Sequence, residues 1–331
     1  MMARQVFWPI LASVASLLAA GAIHAQPKAT PAVGTGSAQI IPVSFKNEQI
    51  AATVNGEKIL VGAVRKVLDS QPYPLSLTES QKKEMRQAAL ESLVDDTLLR
   101  QYLSKQVPQV SQLEFNKEVQ DLQDALKKQN KTLDMFYKET GQTEEQLRRD
   151  MIARVQWRLL LLRMCPDDKA KVYFDANKVF FDKVYVRASH ILIKLDPKTT
   201  KEQRAQAMQQ MLVWRQDILA GKVKFDDVAK QYSQCPSKDK GGDIGEFPYK
   251  FVVMPDFARV AFAMKKNEVS DVVQTSVGLH LILVTDRSAG ELSNFATLKD
   301  TVREVWARDQ ELHENVLAEQ RKTSQIKIDL P

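Results

Sequence analysis

The sequence predicts an α+β protein: a mostly helical N-terminal body, a small α+β domain with a four-stranded sheet and surrounding helices, and a long C-terminal helix. Three observations predict it. Capping-box pairs precede apolar residues spaced three to four apart at several places before residue 180. After residue 183 the texture changes to strand, helices and strand, the pattern of a compact α+β unit. The tail then carries one more amphipathic series, from Leu298 to Val316.

Taken in order, residues 1–25 read as a secretory signal peptide. Arg4 precedes the apolar run Val6 to Ala20, and Ala22-Ile23-His24-Ala25 supplies small residues before a cut at Ala25–Gln26. That run is short for a membrane span and holds Pro9, and no other stretch reaches about 18 apolar residues. The expectation is an exported, soluble chain with no stable membrane insertion. Residues 26–47, rich in Pro, Ala, Gly, Thr and Ser, read as a flexible linker. Asn55-Gly56 stands between the apolar pieces Ala51–Val54 and Ile59–Leu60, which predicts a tight β-hairpin.

The helical body spans residues 48–182. Thr78 and Gln81 precede Met85, Ala89, Leu93, Leu98 and Tyr102; Ser111 and Glu114 precede Phe115, Val119, Leu122 and Leu126. Thr143 and Gln146 precede Leu147, Met151, Val155, Leu159 and Leu162. Each cap satisfies orphan amides at a helix start, and each apolar series makes a sticky face. The spacing leaves open whether those faces close into a bundle or form an apolar cradle. Residues 183–287 give a strand over Val184–Ile193, a helix from the Thr200/Gln203 cap to Gly221, a helix over Phe225–Tyr232, a glycine-bearing loop, a helix over Pro255–Met264 and a strand over Leu279–Thr285. Residues 288–331 hold the helix of Leu298, Val302, Val305, Leu312 and Val316, then alternating Ile326, Ile328 and Leu330.

Composition excludes some partners. The 331 residues are 44% hydrophobic and 27% charged, and 47 basic against 41 acidic side chains leave +6. No dense Lys/Arg tract interleaves with aromatics, so no nucleic-acid partner is expected. Two cysteines, Cys165 and Cys235, do not make a disulfide framework.

Four fragments between 185 and 286 carry chemistry: Val186-Arg187-Ala188-Ser189-His190-Ile191-Leu192-Ile193, Tyr232-Ser233-Gln234-Cys235, Gly241-Gly242-Asp243-Ile244-Gly245 and Gly278-Leu279-His280-Leu281-Ile282. Their order and spacing, with Phe257-Ala258-Arg259-Val260-Ala261-Phe262 between the last two, resemble the parvulin family of peptidyl-prolyl cis–trans isomerases. The resemblance implies catalytic positions at His190, Cys235, His280 and Thr275, and a proline-binding slot of Ile244, Val253, Met254 and Phe257. Met254 stands three residues before Phe257 where the family usually has four, which makes Val253 a second candidate for that wall. Val277 replaces a serine of some members, and the loop after Ile193 has Lys194 and Lys198 but no arginine cluster to read a phosphate.

The residue types suit the reaction. Turning a peptide bond crosses about 18–20 kcal/mol because the twisted amide loses resonance. X–Pro bonds populate both isomers and exchange in roughly tens to hundreds of seconds. Rotation breaks no bond, so no metal and no cofactor are implied; a dry slot for the ring and polar groups beside the carbonyl suffice. For the same reason the expected role of Cys235 is to shape the polar wall, not to attack.

The flanks resemble the SurA and PrsA group of envelope foldases, through the Val54-Asn55-Gly56-Glu57 hairpin, the helices and the terminal helix. That resemblance implies a periplasmic chain whose terminal helix packs on the helical body, with proline-containing unfolded polypeptides as partners and chaperone activity by non-covalent binding. Self-association is left open. The alternative reading is an envelope holdase whose parvulin domain is inactive or only docks peptides.

Overall fold

The computed structural model describes residues 33–34, 40–41, 44–70, 73–74 and 77–330; the expected signal peptide 1–25 lies outside them. Its elements begin with β1 (Val33–Gly34), β2 (Ile50–Val54), β3 (Glu57–Leu60), α1 (Val61–Asp69), β4 (Tyr73–Pro74), α2 (Glu79–Gln106), α3 (Gln112–Lys128), α4 (Leu133–Thr140), α5 (Glu144–Met164), α6 (Asp167–Ala176) and α7 (Lys178–Phe181). They continue with β5 (Tyr185–Lys194), α8 (Lys201–Leu219), α9 (Phe225–Tyr232), a 3-10 turn (Lys238–Lys240), β6 (Asp243–Pro248), α10 (Pro255–Ala263), β7 (Val273–Gln274), β8 (Gly278–Arg287), α11 (Phe295–Asp309), α12 (Leu312–Thr323) and β9 (Ile326–Ile328). Two compact units result. One joins the described residues up to Asp168 to those from Arg303 onward, and the other is Lys169–Val302.

In the first unit the hairpin turns at Asn55 (φ 49) and Gly56 (φ 87), the paired positive angles of a two-residue turn. β2 lies between β3 and β9, antiparallel to both, with Ala52 opposite Ile328. The pairs Thr78/Gln81, Ser111/Glu114 and Thr143/Gln146 all close as reciprocal capping boxes. The buried stripe of α5 departs from the expected one. Leu147, Met151 and Val155 are buried, but Leu162 is exposed while Trp157, Leu160 and Leu161 are covered. Neighbours on more than one side widen the apolar face beyond a single stripe: α2 and α3 both pack on this helix. Within the stretch expected as linker, Ile40 and Ile41 are fully buried and Arg86 Nη1 donates to the Ile40 carbonyl at 2.7 Å. Two adjacent β-branched residues seated in a core hold that part of the chain in place. The tail helix is interrupted: Glu311 takes φ 48 between α11 and α12. Arg303, 3% exposed, donates to the Cys165 carbonyl and pairs with Asp167, and Arg321 Nε donates to Asp95 at 2.7 Å.

The second unit holds an antiparallel sheet in the order β6-β5-β8-β7. Alternate residues of a strand point to opposite faces. Ile282 and Val284 of β8 join Val186, Phe247, Phe257 and Phe262 in one apolar cluster; Leu279 and Leu281 join Ile191, Met211 and Phe225 in another. Helices therefore cover both faces, α10 on the first side and α8 with α9 on the second. Thr200 and Gln203 close the capping box of α8, and Gly221 follows it at φ 69. Cys165 and Cys235 are both buried free thiols.

Candidate active site

The sheet register builds the site. In the pairing of β5 with β8, His190 lies opposite Ile282 and Leu192 opposite His280, so the two histidines sit on neighbouring strands offset by two residues. Their rings stack at 5.4 Å between centroids, 13° from parallel, with Nδ1 to Nδ1 at 3.2 Å. His280 is 4% exposed. Burial, and next the positive charge of His190, push it down to about 4, so it is a neutral imidazole at neutral pH. Its Nε2 lies 2.9 Å from Thr275 Oγ1, which in turn accepts from the Val277 amide at 3.2 Å. The two contacts couple the tautomers. A His280 that receives the threonine proton at Nε2 offers its own Nδ1–H to His190, and reversing one bond reverses the other.

Cys235 closes the polar side. Its Sγ accepts from Ser233 Oγ at 3.0 Å, lies 3.3 Å from Ser237 Oγ and approaches the His190 carbonyl at 3.7 Å. Burial alone would raise the thiol. Hydrogen bonds from His190, Ser233 and Ser237, together with the charge of His190, outweigh it and bring the thiol down to about 6. Ser233 Oγ also accepts from the Leu192 amide at 3.0 Å, tying the cysteine loop to β5. Ser233 stands in the Tyr232–Cys235 motif with no role assigned from sequence, and Ser237 lies outside every motif. Hydroxyls two residues on either side of a cysteine were the available signal. Gly242 has a stricter reason to be glycine: φ is +82, and a Cβ there would meet the His190 carbonyl oxygen at 2.3 Å.

Beneath the imidazoles lies Phe257. Its ring stands edge-on to both histidines, 5.6 Å from each centroid, and packs on Phe247 at 5.9 Å. Phe257 is buried, while Ile244, Val253 and Met254 are half-buried against the same cluster. Val253 and Met254 both pack against that cluster, and the Ser276 hydroxyl reaches Met254 Sδ at 3.7 Å. All eight residues singled out in the sequence lie in this unit, around an apolar floor and a polar rim. Two surface hollows elsewhere in the unit, of about 500 and 570 Å³, hold neither histidine nor thiol. Among the described residues no group of side chains could hold a metal ion, and no helix is long and apolar enough to cross a membrane.

Apolar side chains, two imidazoles, a thiol and a hydroxyl are thus brought together in one unit. Comparison with known proteins gives the class. Residues 190–286 match the family described as Rotamase, PPIC-type PPIASE domain. The peptidyl-prolyl cis-trans isomerase Pin1 of Malus domestica is 42% identical over 110 residues, covering 29% of this chain and 90% of the relative. The chain belongs to this family of peptidyl-prolyl cis–trans isomerases. Over a longer span it is similar to the foldase protein PrsA of Clostridium botulinum strain Loch Maree, 26% identical over 314 residues, 86% of this chain and 89% of the relative. Among solved structures, peptidylprolyl isomerase PrsA of Bacillus anthracis aligns with a TM-score of 0.40 at 21% identity, over 70% of this chain and 96% of its own.

Proposed function

We propose that this isomerase seats the proline ring of its substrate on Phe257, between Ile244 and the wall of Val253 and Met254, and turns the preceding amide beside His190, His280, Thr275 and Cys235. The observation that carries this reading is the 3.2 Å contact of the two imidazoles directly over the Phe257 ring. A planar amide owes its stiffness to resonance that loads charge on its oxygen. An apolar slot penalises that charged form more than the twisted one, and the polar wall orients the carbonyl as it swings. The neutral His280 keeps the imidazole pair from carrying two charges. No step requires the Cys235 sulfur to form a bond.

The substrates are proline-containing stretches of unfolded polypeptides, held without covalent attachment by the helical unit, which acts as a chaperone. Similarity to foldase PrsA over most of the chain supports this role, and the Arg4–Ala25 pattern supports action in the periplasm after export. The test is protease-coupled turnover of a proline tetrapeptide by the full chain. Phe257→Ala should lower kcat/KM by roughly a hundredfold, Cys235→Ala should retain measurable turnover, and both should still suppress aggregation of an unfolded client. Wild-type turnover in Phe257→Ala would remove the slot assignment.

A further inference from the structure

The slot wall of Val253 and Met254 stands on the loop between β6 and α10, and that loop carries an oddity. Phe251 takes φ 71, the one aromatic among the described residues with a left-handed backbone. A bulky side chain rarely adopts that region and keeps it only where its surroundings leave no alternative. Phe251 is 37% exposed, and two contacts of its loop come from outside residues 190–286. The Phe180 ring of α7 meets the Phe251 ring edge-on at 5.8 Å and 89°. One residue back, Lys250 Nζ lies 5.5 Å over the Tyr173 ring of α6.

The anchor itself is fixed. Phe181 is buried and stacks on Phe174 at 5.2 Å. Asp182 accepts from the Ser293 amide at 2.8 Å and the Ser293 hydroxyl at 2.6 Å, and pairs with Lys178. The Asp182 carbonyl accepts from the Glu291 amide at 2.6 Å. These contacts bind α7 to the strand exit that follows β8. Three residues of chain span no more than about 11 Å, so wherever Phe251 is set, Met254 is set close by.

We infer that Phe180 and Tyr173 are positioning residues for the proline slot: they clamp Phe251 and Lys250, and through that strained backbone fix where Val253 and Met254 stand. The isomerase site then extends N-terminally past the matched family span. The inference rests on the slot assignment above, but concerns residues that touch no substrate.

The Val253 and Met254 wall bears on the proline ring, which keeps its contacts before and during rotation, and not on the turning amide, so a loosened wall should raise KM and leave kcat nearly unchanged. A merely weakened fold should do the reverse, lowering the active fraction and hence kcat at constant KM. With the full chain and the proline tetrapeptide, Phe180→Ala should raise KM roughly tenfold, and Phe180→Tyr, which keeps the ring, should restore it. Phe251→Gly accepts the left-handed backbone without the ring and should match Phe180→Ala. The double variant should be no worse than either single, because both remove one contact. An unchanged KM in Phe180→Ala, or effects that multiply in the double variant, would overturn the clamp. Loss of turnover in Phe257→Ala beside a normal KM in Phe180→Ala removes the clamp alone, whereas normal turnover in Phe257→Ala removes the slot and the clamp with it.

Discussion

A buried imidazole stacked on a second one resists protonation, and His280 is in that position. Its folded value of about 4 lies below the ordinary 6.5. Between those values the unfolded chain binds a proton that the folded chain excludes, so stability falls as pH drops from about 6.5 to about 4. The full difference is roughly 3 kcal/mol for this one residue. Denaturant midpoints at neutral and mildly acid pH should therefore diverge, and His280→Phe should flatten that divergence relative to wild type. An identical acid sensitivity in the variant would show that the loss originates elsewhere. At this scale the candidate residues were legible through fragments whose order resembles the parvulin family, with His190 and His280 on the two expected strands and Phe257 on the expected helix. The serines beside Cys235 were not: a hydroxyl becomes a partner of a thiol only when the loop curls, and no periodicity records a curl.

Elements were readable where their signals are local. The four pairs expected as caps, at Thr78, Ser111, Thr143 and Thr200, each closed reciprocally. The bonds join residues within one turn, so nothing distant can redirect them. Thr143→Ala should cost about 1 kcal/mol, visible as a lower urea midpoint for the helical unit with unchanged proline-peptide turnover. A loss in turnover larger than the stability loss would contradict a purely local cap. Buried faces were less readable. Leu162 belongs to the expected series yet is exposed, while Leu160 and Leu161 are covered, because a helix packed on several sides has no single dry stripe. The interruption at Glu311 also left no sequence mark, since glutamate has no preference for φ 48.

For the whole molecule, the C-terminal strand returns to the N-terminal hairpin: β9 completes the sheet begun by β2 and β3, and Leu330 is buried in the same unit. The isomerase unit, Lys169–Val302, is thus inserted into a body assembled from both sides of it. Deleting residues 324–331 would strip a strand from β2 and expose an open edge. The helical unit should lose roughly 2 kcal/mol, read by urea unfolding through tryptophan fluorescence with Trp8 and Trp214 changed to phenylalanine so that Trp157 and Trp306 carry the signal, while turnover of the proline tetrapeptide stays within about twofold. Turnover that collapses together with the helical unit would mean that the inserted unit cannot stand by itself.

Local chemistry thus wrote itself into the sequence: caps, the Asn-Gly hairpin and strand alternation each depend on neighbours a few residues away, while the order of the glycine and histidine motifs was legible as a resemblance to a family. Tertiary structure alone decided which hydroxyls reach Cys235, how far apart the imidazoles stand, where the tail helix breaks and that Phe180 bears on Phe251. The imidazole pair and the Phe180–Phe251 contact join residues far apart in the chain, and the curl around Cys235 and the break at Glu311 form only in the folded surroundings, so no short-range pattern encodes them.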